Sequence, residues 1–433
     1  MRGYTALKCA TKKLRKGSNL FFLSLSLINL VATKIIMSKR KHLYEDVINS
    51  AAKRFHRNGE AEQNSFRVLP AHRYSGRCPE YRQPIEVNSY SIDADRRVWF
   101  DDRELKYYAA PRLTSTTPSL SYNYDRFVQR DETIPEHIDT LLDALTDAKS
   151  KSTVDDTQAD IVTWRGIMTK LFCTPFSRNE PWELRVTRSK GTIYIEEQQT
   201  EQKRQREATT DDRQRLMSYW GYQFEAMCTS TDPKGEAPIV NEDMEPPNTN
   251  VQYCVIVRTR LGGNSIIMGA EVDCIEGLKP SKEERNPLKQ YIELKTSRRI
   301  DVERQQISFE KYKLLKFWAQ SFLVGVPRVV CGFRDDNGVI SHLETLKTLE
   351  IPRKVRGKPN MWDPSVCMNF TDQFLNWLKS VVTVDDPSVT YSVAWKEPWR
   401  EIFIECNGKK DAFLTQRYLD GTMSNDIGGP RAS

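Results

Sequence analysis

Histidine is scarce in this sequence. The five residues, His42, His56, His72, His137 and His342, stand at none of the spacings a zinc site needs, so neither a zinc centre nor a histidine-driven nucleophile is expected. Cysteine supplies no metal knuckle either: nine residues, scattered from Cys9 to Cys406 without a C-x-x-C pair, exclude a small disulfide framework and favour a reducing compartment. There is no phosphate loop. Gly262-Gly263 is followed by Asn264 rather than by Gly-Lys-Ser/Thr and a helix, and reads as a hairpin turn. An apolar stretch over residues 20–32 is interrupted by Ser24, Ser26 and Asn29 and falls short of the ~20 apolar residues of a membrane span, so no membrane partner is expected. No internal repeat is present.

What the chain has is charge, unevenly placed. The 433 residues carry 65 Lys+Arg against 58 Asp+Glu, a net +7 that suggests a nucleic-acid or membrane partner. Yet residues 1–36 hold seven basic groups, from Arg2 to Lys34, and no acid; removing them leaves 58 basic against 58 acidic residues. The body is formally neutral. The basic, apolar and small residues of that leader follow the order of a secretory signal or a mitochondrial presequence, while the cysteine pattern argues against secretion. Met37, followed by Ser38-Lys39-Arg40-Lys41, is an alternative start. Residues 1–41 are accordingly read as an extension that is disordered or not physiological.

The remainder reads as one mixed α/β domain, residues 42–408, with a tail from 409 to 433 that is polar, rich in Gly, Asp and Ser, and expected to be disordered. Residues 42–130 suggest short strands around Pro84-Ile85-Glu86-Val87 and Arg97-Val98-Trp99-Phe100. An amphipathic helix is predicted from Thr133, on Ile134, Ile138, Leu141, Leu142 and Leu145. The apolar run 160–172 enters a second helix, a hairpin turns at Ser189-Lys190-Gly191, and residues 196–212 form an exposed loop or solvated helix. Strands follow at 251–259, 265–275 and 290–297. A long helix over 302–324 carries an apolar stripe of Phe309, Tyr312, Leu315, Trp318, Ala319 and Phe322. A strand at 328–334, a helix near 368–382 and a terminal hairpin, 390–395 with 401–406, complete the reading.

Two strand segments carry unusual charge: Gly269-Ala270-Glu271-Val272-Asp273-Cys274 and Tyr291-Ile292-Glu293-Leu294-Lys295-Thr296. Side chains alternate along a strand, so Glu271 and Asp273 are expected on one face, as are Glu293 and Lys295. If the strands are neighbours, three carboxylates and an ammonium converge. Carboxylates on apolar strands repel one another and lose hydration unless something positive compensates, and oxygen ligands suit Mg²⁺ or Mn²⁺. An Asp followed about twenty residues later by Glu-x-Lys is the order found in metal-dependent phosphodiesterases of the PD-(D/E)xK type, in which the Lys orients or activates water. An isolated E-x-K is usually a solvated ion pair. Further candidates are Glu225, in Gly221-Tyr222-Gln223-Phe224-Glu225 at the start of an expected helix, and Lys316 with Gln320, four apart and hence adjacent on a helix surface.

These segments, with Thr163-Trp164-Arg165-Gly166, Lys316-Phe317-Trp318-Ala319-Gln320 and Gly332-Phe333-Arg334-Asp335, resemble the DXO family of RNA decapping enzymes over roughly residues 80–405. Residues 261–273 and 317–336 especially resemble the fungal nuclear members, which bind and activate the nuclear 5′→3′ exoribonuclease. The resemblance implies a central mixed sheet of PD-(D/E)xK type flanked by helices. It implies Glu225, Asp273, Glu293 and the Leu294 carbonyl as ligands of one or two divalent metals, Mg²⁺ or Mn²⁺, with Glu271 on metal-held water. Lys295 and Gln320 would stand by the scissile phosphate, and Arg165, with Lys316, on the substrate side. The implied reaction removes defective 5′ ends from RNA, namely unmethylated, incompletely methylated or NAD-type caps or a triphosphate, and leaves a 5′ monophosphate. Some members add 5′→3′ exonuclease activity. A non-catalytic stabiliser of the exoribonuclease and a DNA-directed nuclease are the alternatives; intact charged positions disfavour the first, and the Trp164 and Glu225 segments the second. Nuclear residence is implied, with the cytoplasm as the alternative; Lys39-Arg40-Lys41 fits either an import signal or an exposed charge run.

Overall fold

The computed structural model describes residues 64–114, 119–151, 157–240, 244–281 and 286–422. The expectations for the leader, Met37, Lys39-Arg40-Lys41, His42, His56 and residues 423–433 lie outside the described residues.

Two β-sheets organise the chain. The larger has ten described strands in the order β1 (Ser65–Arg67), β16 (Glu401–Gly408), β15 (Thr390–Trp395), β6 (Trp182–Ser189), β7 (Thr192–Gln198), β5 (Ile161–Trp164), β10 (Asn264–Glu271), β9 (Gln252–Leu261), β2 (Tyr81–Ile92) and β3 (Val98–Trp99). The smaller has six, in the order β14 (Ile340–Lys347), β13 (Arg328–Arg334), β12 (Tyr291–Arg298), β11 (Cys274–Ile275), β4 (Tyr107–Tyr108) and β8 (Thr229–Ser230). Both are mixed: β10 runs parallel to β5 and antiparallel to β9, and β12 runs parallel to β13 and antiparallel to β11. The helices are α1 (Asp139–Lys151), α2 (Arg165–Cys173), α3 (Glu201–Ala208), α4 (Asp212–Met227), α5 (Glu303–Ser308), α6 (Leu314–Val324), α7 (Ile351–Val355), α8 (Pro364–Val381) and α9 (Gln416–Asp420). The fold is therefore mixed α/β, as expected.

Apolar periodicity explains which helix covers which sheet. Ile138, Leu141, Leu142 and Leu145 lay α1 on Tyr90, Val162, Ile256 and Ile267 of the larger sheet. Tyr219, Trp220, Phe224 and Met227 lay α4 on Ile292, Leu294 and Val330 of the smaller one. On α6, Trp318 stacks with Phe322 and Trp362 and tilts against Phe172 of α2. The polar segment 196–212 contains the solvated helix α3, capped by the Thr200 hydroxyl.

Three local expectations are corrected. The first helix begins at Asp139 rather than Thr133, because Ile134 precedes a proline and His137 adopts a left-handed φ of 46°; Ile134 is 59% exposed. The 302–324 helix is interrupted by a π-helical turn, Phe309–Lys313, whose wider winding rotates the face and leaves Tyr312 53% exposed instead of in the stripe. Residues 409–422 carry regular structure, including α9. Phe413 and Leu414 are buried in the cluster built on α1, Arg417 pairs with Asp143 at 2.7 Å, and the Tyr418 and Tyr194 hydroxyls lie 2.9 Å apart. A local window registers only the polar residues around this one apolar pair, whereas its partners are more than 200 residues away. Arg417→Ala, which unpairs a partly exposed bidentate contact, is expected to lower unfolding free energy by up to about 1 kcal/mol in a urea titration.

Candidate active site

The chain changes sheets at the acidic segment. β9 and β10 form a tight hairpin around Gly262, whose φ of 57° suits glycine. β10 ends at Glu271, Val272 donates its N–H to the Tyr253 carbonyl at 3.0 Å, and Cys274 already pairs with Ile292 in the other sheet. Glu271 and Asp273 therefore do not share a strand face. Asp273 sits in the crossing between the sheets, and β10 itself is no neighbour of β12; the short β11 is. The convergence expected from two adjacent strands is achieved by this crossing instead.

Glu225 reaches the same place from the last turn of α4, not from a helix start. The helix begins thirteen residues earlier, where the Asp211 carboxylate accepts the Gln214 N–H at 2.7 Å, within a polar stretch that carries no apolar signal. Arg165 opens α2 directly after β5.

Around the crossing the contacts are close. Lys295 Nζ lies 2.6 Å from Glu293 Oε1 and 3.9 Å from Asp273 Oδ2, and donates to the Leu294 carbonyl at 3.1 Å. Asp273 Oδ2 accepts the Leu294 N–H at 2.6 Å. Arg165 reaches Glu293 at 3.4 Å and the Glu271 carbonyl at 3.5 Å. Gln252 donates to the Glu271 carboxylate at 3.2 Å. Glu225, Glu271 and Asp273 line a recess of about 160 Å³, together with Tyr222, Gln252 and Arg130.

Electrostatics follow from four carboxylates facing two cations. Burial, and then the neighbouring Glu293 charge, pushes Asp273 up to about 7. Glu225 is raised well above the carboxylate range by burial and by Asp273. Glu271 stays open to solvent at the mouth of the recess; desolvation by the recess raises it, against the pull of Arg165 and Gln252. Glu293 behaves oppositely: burial disfavours its charge, but Lys295 and then Arg165 outweigh it and hold its carboxyl below the usual range. Burial likewise works against the Lys295 ammonium, yet Glu293, Asp273 and Glu225 raise it. Lys295 keeps its proton. Oxygen donors in an electronegative recess are the chemistry of a hard divalent cation. Among the described residues, no three such side chains are drawn around one point; Lys295 and Arg165 do the neutralising.

Two further expected residues, Lys316 and Gln320, stand on α6, which packs against α2, the helix that Arg165 opens. Lys316 Nζ pairs with Glu180 at 3.0 Å on the surface. No hydrogen bond or ion pair joins Gln320, one turn further on, to the carboxylates among the described residues. Conversely, Gln252 and Tyr222 belong to the recess and were not expected, since a lone Gln on a strand and an exposed Tyr on a helix give no local signal. His137 hydrogen-bonds Glu196 at 2.9 Å.

A family model described as RAI1 like PD-(D/E)XK nuclease matches residues 82–419, a span that contains Glu225, Asp273 and Glu293-x-Lys295. The chain belongs to this family. It is accordingly a nuclease by family, and hence a hydrolase. Among curated relatives, the decapping and exoribonuclease protein of Xenopus laevis is 42% identical over 75% of this chain and 82% of its own length. The decapping nuclease RAI1 of Aspergillus fumigatus is 39% identical over 73% of this chain and 87% of its own. Vertebrate and fungal members are thus similarly near. Among solved structures, Candida albicans Rai1 in complex with pU5 and Mn²⁺ superposes with a TM-score of 0.74 at 27% identity, covering 82% of this chain and 98% of its own.

Proposed function

We propose that this protein hydrolyses a phosphate linkage at the 5′ end of RNA, with Mg²⁺ or Mn²⁺, one or two per site, held by Glu225, Asp273, Glu293 and the Leu294 carbonyl, and with Glu271 on metal-held water. The observation that carries the reading is the placement of Glu293 and Asp273 against Lys295 at the sheet crossing, with Glu225 and Glu271 near enough for their charges to act on the same group. The donor set fits the metal. Four acids against two cations leave a local deficit, and the groups forced towards protonation, Glu225 and Asp273, are those a divalent ion would ionise. Bound there, the ion would supply Lewis-acid polarisation of a phosphoryl oxygen and a more acidic water.

The protein's own groups do the rest. Lys295, tightly paired and charged, acts as a fixed cation beside the reacting phosphate rather than as a base. Arg165 holds its present partners at the long edge of hydrogen-bond range, so its fork can turn to phosphate oxygens, at the first turn of a nine-residue helix whose dipole favours the same anion. Gln320 and Lys316 are assigned to the substrate side, on α6.

The substrates in this reading are unmethylated, incompletely methylated or NAD-type caps and 5′ triphosphates, converted to 5′-monophosphate RNA, with 5′→3′ exonuclease activity of the protein's own as a further step. Supporting instances are the Mn²⁺ and pU5 held by the Candida relative, the 3′-FADP held by Schizosaccharomyces pombe Rai1, and the names of the vertebrate relatives. A nuclear 5′→3′ exoribonuclease as partner and the nucleus as location complete the proposal; affinity capture from nuclear extract and imaging of the tagged full chain check them.

The decisive experiment gives purified wild type and a Glu293→Ala/Lys295→Ala variant RNAs bearing triphosphate, unmethylated-cap and dinucleotide-cap ends, with either metal. Wild type is expected to release pyrophosphate or a whole cap dinucleotide. Equal behaviour of the two proteins on every substrate overturns the reading. Metal binding has its own readout: Mn²⁺ at about a hundred times its Kd should stabilise the fold by about 2.7 kcal/mol, EDTA should reverse the shift in melting temperature, and Asp273→Asn should lose it.

A further inference from the structure

Two glycines outside the charged set touch aromatic rings more closely than any other residue could. Gly269 and Trp164 are registered neighbours on the parallel strands β10 and β5. A Cβ on Gly269 would stand 2.4 Å from Cζ3 of the Trp164 indole. Gly332, on β13, lies under the helix α4, and a Cβ there would stand 2.5 Å from Cε2 of the Phe224 ring. Real Cβ contacts do not come below about 3 Å, so a side chain at either position must displace the ring above it. Neither glycine needs a left-handed backbone, since neither has a positive φ. What each provides is the absence of an atom.

The two rings have a common place in the sequence. Trp164 immediately precedes Arg165, and Phe224 immediately precedes Glu225. Trp164 is the N-cap residue of α2, so its position sets that of the first helical residue, Arg165. Phe224 is fully buried among Leu120, Tyr219, Met227 and Ile292, so its ring cannot swing aside; displacing it moves the last turn of α4, and Glu225 with it. Trp164 is only partly buried and lines a second, adjoining cavity with Tyr90, His137, Cys254 and Glu271, so its ring would be driven towards Glu271, whose carbonyl accepts from Arg165.

We propose that Gly269 and Gly332 are positioning residues of the active site, each lacking a Cβ so that an aromatic ring can seat against its strand and fix the functional residue next in sequence, Arg165 in one case and Glu225 in the other. The inference rests on the roles proposed above for these two residues, and it assigns the glycines different consequences. A displaced Glu225 weakens metal binding. A displaced Arg165 weakens recognition of the RNA 5′ phosphate.

The test compares full-length wild type, Gly332→Ala and Gly269→Ala, with the ring-shortened doubles Gly332→Ala/Phe224→Leu and Gly269→Ala/Trp164→Leu. Mn²⁺ affinity is measured by calorimetry without RNA, and KM and kcat are measured on short 5′-triphosphate RNA at saturating Mn²⁺. Gly332→Ala is expected to weaken Mn²⁺ binding about 10–100-fold, as loss of a ligand's support does, with KM little changed. Gly269→Ala is expected to raise KM about tenfold with Mn²⁺ affinity unchanged, the scale of one phosphate-binding interaction. The double containing Phe224→Leu should recover Mn²⁺ affinity over Gly332→Ala alone even though it melts lower, because it removes the clash and leaves only a packing defect. The same pattern of both single variants losing only thermal stability, or both losing the same kinetic parameter, or no recovery in the double, overturns the inference. Wild type that neither binds Mn²⁺ nor cleaves RNA overturns instead the reading on which the inference depends, and the inference falls with it.

Discussion

Glu293→Gln should reduce the rate of RNA 5′-end cleavage on the order of 10²–10³-fold at saturating metal while the protein stays folded. The side chain is 3% exposed, with Lys295 at 2.6 Å and Arg165 at 3.4 Å. It is the only one of the four clustered carboxyls held below its usual titration range, so it is the dependable negative charge at neutral pH. An isosteric amide keeps the volume and removes the charge. It also leaves Lys295 and Arg165 facing each other without their shared counter-ion, so the cation proposed to stand beside the phosphate loses its fixed position. Single-turnover kinetics with excess enzyme and Mn²⁺ separate this loss from weaker binding. A kcat within about threefold of wild type would show that Glu293 is a structural partner of the two cations rather than part of the reaction.

The second large effect is in stability and lies outside the acidic recess. Lys279 Nζ reaches Tyr253 Oη at 2.6 Å, Ser89 Oγ and Asp102 Oδ1 at 2.8 Å, and Glu86 Oε1 at 3.0 Å; Tyr291 Oη donates to the other Glu86 oxygen at 3.0 Å. Glu86, Ser89 and Tyr253 belong to the larger sheet and Tyr291 to the smaller, so the Tyr291–Glu86 hydrogen bond ties the two sheets together, and the Lys279 ammonium, 12% exposed, neutralises the carboxylate that makes it. Lys279→Met removes the charge and leaves Glu86 buried against Tyr291. Breaking such a pair by removing one partner costs about 3–5 kcal/mol, because the remaining charge has lost its compensation. A urea titration should show that loss, and Glu86→Gln/Lys279→Met should recover at least half of it. If the single and double variants are equally destabilised, packing of the Lys279 stem and not the charge is responsible. The network also has an acid limit. Burial works against the Asp102 charge, but Lys279, Tyr253 and Ser89 together hold its carboxyl below the usual range. Its contribution is therefore complete above the ordinary carboxylate range and is lost as pH falls through the lowered value.

Much of the site was legible because its residue types are conspicuous where they stand. Glu-x-Lys on an apolar strand, with an Asp twenty residues before, announces uncompensated charge whatever the fold around it, and the structure brings Asp273, Glu293 and Lys295 together. Most strands and helices were legible for a similar reason: alternation in 182–198 and 252–271 and helical spacing in 364–381 are local properties. Where reading failed, the deciding contact was remote. The helix at Asp139 was placed too early because a left-handed residue, His137, is invisible to periodicity. Residues 409–422 were read as disordered because Phe413 and Arg417 find their partners on α1. Glu225 was put at the wrong end of its helix because the polar first turns of α4 carry no apolar stripe.

The linear sequence determined the chemistry: carboxylates, one lysine and one arginine in the order of a nuclease family, in a body whose net charge is zero once the first 36 residues are set aside. Only the tertiary structure decided how those groups meet. A strand has to end at Glu271 and restart at Cys274 in a different sheet before Asp273 can face Glu293, and α4 has to descend onto β13 before Glu225 can join them. Alternation along a chain specifies faces and not neighbours. Which strand lies beside which is settled by burial of apolar surface over the whole molecule, and that sum is not written in any one segment.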